Sequence, residues 1–224
     1  MKLFKRSFAN KIVLPCLILM TVPLFSAYRQ SRIKENESVL PSLVLLRPVS
    51  GDKYVVDKIE SLVKWKGTMQ IGSMGKHEGY ISILNGELMI DKRQLVSGRI
   101  ELDMSTISDE FHLSDNNLIT HLKSADFFDV EKFPISTFEI TKVTSGDDEN
   151  VKVTGDLTIK GITHGVTFRA KMEVKHGIAN ATGELIVDRA QWDVRYGSGK
   201  FYDNLADDAI ADSIAFKMKI AAKK

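Results

Sequence analysis

The sequence predicts an all-β protein: an antiparallel up-and-down β-barrel of about eight strands, with a short helix and loop lids, behind an N-terminal signal or anchor segment. Three observations lead there. Run after run beyond residue 58 alternates apolar and polar residues, glycine-containing dipeptides punctuate the runs, and only one stretch has helical spacing. Alternation gives each strand one dry and one wet face. This excludes the doubly covered parallel sheet of α/β enzymes and leaves a sandwich or a barrel. Turn signals at Asn85-Gly86, Ser97-Gly98, Ser145-Gly146, Lys160-Gly161 and His176-Gly177 predict hairpins between neighbours, favouring the up-and-down barrel over a Greek key.

Residues 1–27 come first. Lys2, Lys5, Arg6 and Lys11 precede an uncharged run from Ile12 to Ala27, the n-region and h-region of an export signal. Pro15 and Pro23 argue against a straight membrane-spanning helix. The expectation is an exported protein of the periplasm or cell envelope, either soluble after cleavage or held by an uncleaved N-terminal anchor. Cys16, the single cysteine, lies inside the apolar run and cannot form an internal disulfide. Most of that run follows Cys16 and Pro15 precedes it, so a lipoprotein box is rejected. Residues 28–51 are polar and then briefly apolar, interrupted by Pro41 and Pro48, and read as a linker.

The domain is placed at residues 52–222. Ile100, Leu102 and Met104 share one face of a strand whose other face carries Arg99, Glu101 and Asp103. Val151, Val153, Gly155, Leu157 and Ile159 alternate with polar neighbours, as do Val166, Phe168, Ala170, Met172 and Val174, and then Ile214, Phe216, Met218 and Ile220. Looser alternation marks residues 59–65, 79–90, 137–143 and 179–188. Between the strands ending near Thr106 and beginning near Thr137, the segment from Ser114 to Leu122 has a capping residue and helical spacing, predicting a short helix over one barrel end. Two irregular, aromatic-rich stretches, residues 125–134 and 196–212, are the expected lids.

Charge narrows the function classes. Residues 1–34 hold seven Lys or Arg and no acid, leaving 24 bases against 29 acids in the remainder, so the body is acidic despite the overall +2. Nucleic acid is therefore set aside as a partner. The five histidines, His77, His112, His121, His164 and His176, form no His-x-His or His-x-x-x-His pair, and no metal or other cofactor is expected. His121 is expected to hydrogen-bond at a cap or lid, and His164, beside Gly165, to sit in a turn. No Gly-x-Ser-x-Gly elbow, P-loop or dinucleotide pattern occurs in the sequence, and no catalytic residue is assigned.

The dry face offers Trp65, Ile100, Leu102, Met104, Phe138, Ile140, Leu157, Phe168, Met172, Leu185, Phe216 and Met218. Periodicity leaves open whether they fill a closed core or line a hollow, because an eight-stranded barrel is near the size at which either occurs.

The order His121-Leu122-Lys123-Ser124-Ala125-Asp126-Phe127-Phe128-Asp129-Val130, Phe133-Pro134, Thr137-Phe138 and Gly155 to Thr163 resembles the YceI family of exported, lipocalin-like barrels. Gly75 to Gly79, Gly86-Glu87-Leu88, Asp188-Arg189 and Trp192 to Ser198 extend the likeness, while Asp115-Asn116-Asn117 stands where many members carry an Arg-Asp pair. The resemblance implies a noncatalytic carrier or reservoir holding a polyisoprenoid, quinone, fatty-acid-like or other long-chain lipid among the dry-face residues. His121, Phe127, Phe128, Arg195, Phe201 and Tyr202 would form the mouth and lid. An enzyme acting on such a lipid and an interaction scaffold with a filled core are the alternatives. Peripheral membrane contact is compatible with all three, and the oligomeric state is not legible.

Overall fold

The computed structural model describes residues 50–68, 76–110, 116–146, 149–205 and 209–224. The leader, the linker as far as residue 49, Cys16, His112 and the capping Ser114 lie outside the described residues. Among these residues there are nine strands: β1 (Asp52–Val56), β2 (Leu62–Thr68), β3 (Lys76–Asp91), β4 (Gln94–Asp103), β5 (Ile135–Ser145), β6 (Asn150–Ile159), β7 (Ile162–Lys175), β8 (Ile178–Asp188) and β9 (Ser213–Lys223). Among the described residues one α-helix, α1 (Asn116–Lys123), lies between β4 and β5.

From β2 to β9 each strand pairs antiparallel with the next, and β9 pairs back onto β2, closing an eight-membered ring. The ninth strand, β1, was not anticipated from periodicity because five residues are too few to display it. It shares β2's place in the ring: β3 pairs with β2 through residues 76–81 and with β1 through 87–90, while β9 pairs with β2 through 215–219 and with β1 through 222–223. The wall thus has eight staves, one of them interrupted. At the interruption Asp57 accepts hydrogen bonds from the Ile59 and Glu60 amides (2.9 and 3.1 Å) and from Lys223 Nζ (2.7 Å), which together hold the Asp57 carboxyl down to about pKa 2.

Two expected turns are absent. Asn85-Gly86 lies within β3 and Ser97-Gly98 within β4. The chain reverses between them at Lys92-Arg93, both in the left-handed region (φ 48° and 66°). Gly86 is explained by packing instead: a Cβ there would stand 2.6 Å from Val56 Cγ2, so the glycine admits β1 against β3. At Lys160-Gly161 and His176-Gly177 the two-residue turns occur where expected, with positive φ at both positions of each. His164 belongs to β7 rather than to a turn, and its Nε2 meets the Gln191 carbonyl oxygen at 2.9 Å. Residues 58–60 are a turn, so the strand read from residue 59 starts at Leu62 and leaves Ile59 exposed.

The ends of the ring differ. One is closed by the hairpins β3–β4, β5–β6 and β7–β8. The connections at the other include the long ones: residues 104–134 with α1, and residues 189–212. Two apolar clusters occupy the interior. Trp65, Met104, Leu122, Phe127, Phe128 and Trp192 belong to the lid-end cluster, while Val56, Ile83, Leu88, Ile140, Met172 and Ile220 belong to the hairpin-end cluster.

Candidate functional site: a hollow beneath the lid

Between those clusters the barrel is not filled. Ile100, Leu102, Phe138, Phe168, Phe216 and Met218 all point inward yet remain only partly buried, packing against one cluster or both. An inward side chain of a closed barrel can be exposed only to space inside it, and that space is a cavity of about 180 Å³. At about 10–15 Å³ per water on this measure it has room for on the order of a dozen waters. Its wall is almost entirely carbon, with His77, His121, Ser136, Thr137 and Arg189 supplying the polar groups.

Two glycines shape the hollow. The Phe138 ring crosses Gly155, where a Cβ would come within 2.6 Å of it, and Phe168 crosses Gly183, where a Cβ would stand only 3.0 Å from the ring. Without side chains beneath them the rings meet at 5.7 Å between centroids, tilted by 50°. Ile140 and Met172 belong to the hairpin-end cluster and are not among the lining residues, so Phe138 and Phe168 stand as the floor.

The roof is held by polar struts. Gly79 allows residues 107–110 to lie on β3, where Ser108 N donates to the Tyr80 carbonyl (3.0 Å) and Glu110 N to that of Glu78 (2.8 Å). Trp65 Nε1 donates to the Ser108 carbonyl at 3.0 Å, and His77 Nδ1 lies 2.9 Å from the buried Asp109 carboxylate. Across the mouth the buried Arg189 guanidinium binds three backbone carbonyls of the second long loop, those of Val194 (2.7 Å), Ile210 (3.1 Å) and Ala211 (3.1 Å). Asp212 Oδ1 is 3.5 Å away, close enough to balance charge but long for a hydrogen bond. Burial lowers the Arg189 pKa against the opposing pull of Asp212 and Asp188. Trp192, 1% exposed, donates from Nε1 to the Leu157 carbonyl and pins the same loop to β6.

Of the expected dry-face residues, Trp65, Ile100, Leu102, Met104, Leu157, Leu185, Phe216 and Met218 line the cavity with Phe138 and Phe168. Met104 does so from a 3-10 turn that follows β4, rather than from the strand. At the lid, His121, Phe127 and Phe128 line it too, with His121 in edge contact with Tyr196 (4.1 Å) and Phe127 (5.7 Å). The hydrogen bond expected of His121 is not made: its Nε2 is buried without a partner. Arg195, Phe201 and Tyr202 are exposed and absent from the lining; Arg195 pairs with Asp193 and lies over the Phe201 ring at 5.0 Å. Further residues not expected there also line the cavity, among them Val63, Ile81, Leu122, Ile159 and the polar Ser136 and Arg189. Ser136 shares the parity of Phe138, the one signal that pointed to it, and Arg189 had none beyond its place in a matched motif.

Among the described residues no group of three or more His, Cys, Asp or Glu is arranged to hold a metal ion. Among them, too, no helix is long and apolar enough to cross a membrane.

The sequence model of the YceI-like domain matches residues 54–222. A UPF0312 protein of Pseudomonas putida strain F1 is 34% identical over 120 residues, 53% of this chain and 60% of that protein. Protein YceI of Escherichia coli O157:H7 is 32% identical over 94 residues, 42% of this chain and 48% of its own length. The match therefore spans about half to three-fifths of these relatives. Among solved structures, Burkholderia cenocepacia BcnA superposes with a TM-score of 0.61 at 22% identity, covering 75% of this chain and 99% of that one. A polyisoprenoid-binding domain from Saccharophagus degradans, implicated in plant cell wall breakdown, superposes with a TM-score of 0.57 at 9% identity, covering 76% and 97%. At these identities the two structures share the fold.

Proposed function

We propose, from the premise that this chain belongs to the YceI-like domain family, that it is a noncatalytic carrier or reservoir for a long apolar molecule, a polyisoprenoid or a similar lipid, taken into the barrel interior. The observation that carries this is the carbon-lined hollow inside the closed ring of strands, between two apolar clusters. A cavity with such a wall holds water poorly and gains about 0.8 kcal/mol for each methylene that replaces it, before the cost of ordering the chain. The polyisoprenoid-binding domain of similar fold supports the choice of ligand class. The work is done after export to the cell envelope, a reading supported by the basic and apolar residues 1–27.

Native mass spectrometry of the protein purified from its own host tests the ligand. A copurified lipid that a fluorescent hydrocarbon displaces in a one-to-one ratio supports the carrier. Protein that emerges empty and binds neither hydrocarbon nor prenol overturns it. Cell fractionation tests location, and recovery with the cytoplasmic fraction rejects export.

A further inference from the structure

The cavity wall has two buried polar atoms without a partner, Ser136 Oγ and His121 Nε2. Ser136 is only 3% exposed, at the second residue of β5, opposite Leu102; His121 is on α1, in the connection that leads into β5. Both are thus at the lid end, above the Phe138–Phe168 floor. A buried hydroxyl and an imidazole nitrogen left unpaired each carry a desolvation cost, which an occupant able to hydrogen-bond would remove. The positive charge nearby is not available to such an occupant. Arg189, the sole Lys or Arg on the described lining, spends its Nε and both terminal nitrogens on the carbonyls of Ala211, Val194 and Ile210 and is balanced by Asp212.

From this juxtaposition we infer that the occupant is a lipid with an uncharged hydrogen-bonding head, an alcohol or a carbonyl, seated between Ser136 and His121 beneath the lid with its apolar chain towards the floor. The inference rests on the carrier reading and narrows its ligand class. A hydroxyl or carbonyl oxygen can accept from the Ser136 hydroxyl, and His121 Nε2 can donate or accept according to its tautomer. A phosphate monoester would surrender its hydration to a site whose guanidinium is already engaged, so it is disfavoured there.

The test compares three C20 isoprenoids, geranylgeraniol, its monophosphate and the saturated hydrocarbon phytane, in displacing diphenylhexatriene from the full-length protein stripped of lipid. The alcohol is expected to bind about 5–10-fold more tightly than the hydrocarbon, and the phosphate more weakly than the alcohol. Ser136→Ala and His121→Phe should each shrink the alcohol's advantage over the hydrocarbon several-fold. Ser136→Ala should also leave the ligand-free melting temperature unchanged or raised, since it deletes an unpaired buried hydroxyl. A phosphate that binds as tightly as the alcohol overturns the inference, as does an advantage that survives both substitutions. Equal binding of alcohol and hydrocarbon leaves the carrier standing and removes the head-group site. Failure of all three to displace the probe removes the carrier and the head-group site together.

Discussion

Gly79→Ala places a methyl group where there is no room. Its Cβ would lie 1.6 Å from the Ser108 carbonyl oxygen and 2.6 Å from that carbonyl carbon, both backbone atoms. Reaching an ordinary contact of 3.4 Å requires residues 107–110 to move off β3 by nearly 2 Å. The hydrogen bonds Ser108 N to Tyr80 O, Glu110 N to Glu78 O and Trp65 Nε1 to Ser108 O cannot survive that displacement. At about 1 kcal/mol each they account for about 3 kcal/mol, before any loss at the His77–Asp109 contact. With a urea m-value of about 2 kcal/mol/M the unfolding midpoint should fall by about 1.5 M. Ile107, which lines the roof, moves with the segment, so release of bound hydrocarbon should also accelerate. Gly165→Ala is the control: the nearest atom to its Cβ is Asp156 Oδ1 at 3.9 Å, and stability should stay within about 1 kcal/mol of the parent. If Gly79→Ala unfolds within 0.3 M urea of the control, the roof is not anchored through this glycine and the reasoning fails.

Phe168→Ala should cost about 1–3 kcal/mol in chemical denaturation, less than the usual 3–5 for a buried phenylalanine, because one side of the ring already faces the hollow; Lys171→Ala, on the outer wall, should change stability by less than about 0.5 kcal/mol and leave binding intact. Phe127, packed on Phe128, His121 and Arg189, should cost about 3–5 kcal/mol as Phe127→Ala. The exposed Phe201 should lose less than about 0.5 kcal/mol as Phe201→Ala, with the lipid release rate unchanged in stopped-flow. A release rate that rises with Phe201→Ala would return that residue to the gate. Asp57, held at about pKa 2 by Lys223 and two amides against an ordinary 3.8, contributes stability that is complete above pH 3.8 and lost as pH falls through 2. In Asp57→Asn the decline in melting temperature between pH 5 and 2 should therefore be shallower, which a pH series by calorimetry reads directly.

The barrel was legible because a wall with one wet and one dry face writes itself as alternation, and eight of the nine strands are long enough to show it. Ser97-Gly98 and Asn85-Gly86 misled for a common reason. Glycine marks close approach as readily as it marks a turn, and a Cβ at Gly98 would stand 2.7 Å from Leu88 Cδ2 just as one at Gly86 would meet Val56. The actual reversal uses Lys92-Arg93, a pair with no turn signature. At the site, parity found the inward residues but not how deep each sits along the barrel, so Ile140 and Met172 were grouped with residues nearer the lid. Aromatic content alone could not separate the inward Phe127 and Phe128 from the outward Phe201 and Tyr202, since in irregular backbone no period ties a residue to a face. Arg189 was hidden because its partners are main-chain carbonyls, which leave no mark in a sequence.

The interrupted stave bears on how the molecule comes into being. The seams from β2 through to β9 join strands that are neighbours along the chain, across hairpins or the two long loops, and β1 reaches β3 past β2 alone. The seam that β9 makes with β2 and β1 joins the two ends of the domain, and Asp57 is linked to Lys223 across it. Loop-closure entropy makes such a contact the slowest to form. On a growing chain it cannot form until the last eleven residues of strand have been synthesised. Until then β2 and β8 are raw edges and the apolar interior lies open as a curved sheet. The apolar lining that later faces the hollow is, for that interval, an aggregation hazard, and loss of β9 by premature termination would make it permanent.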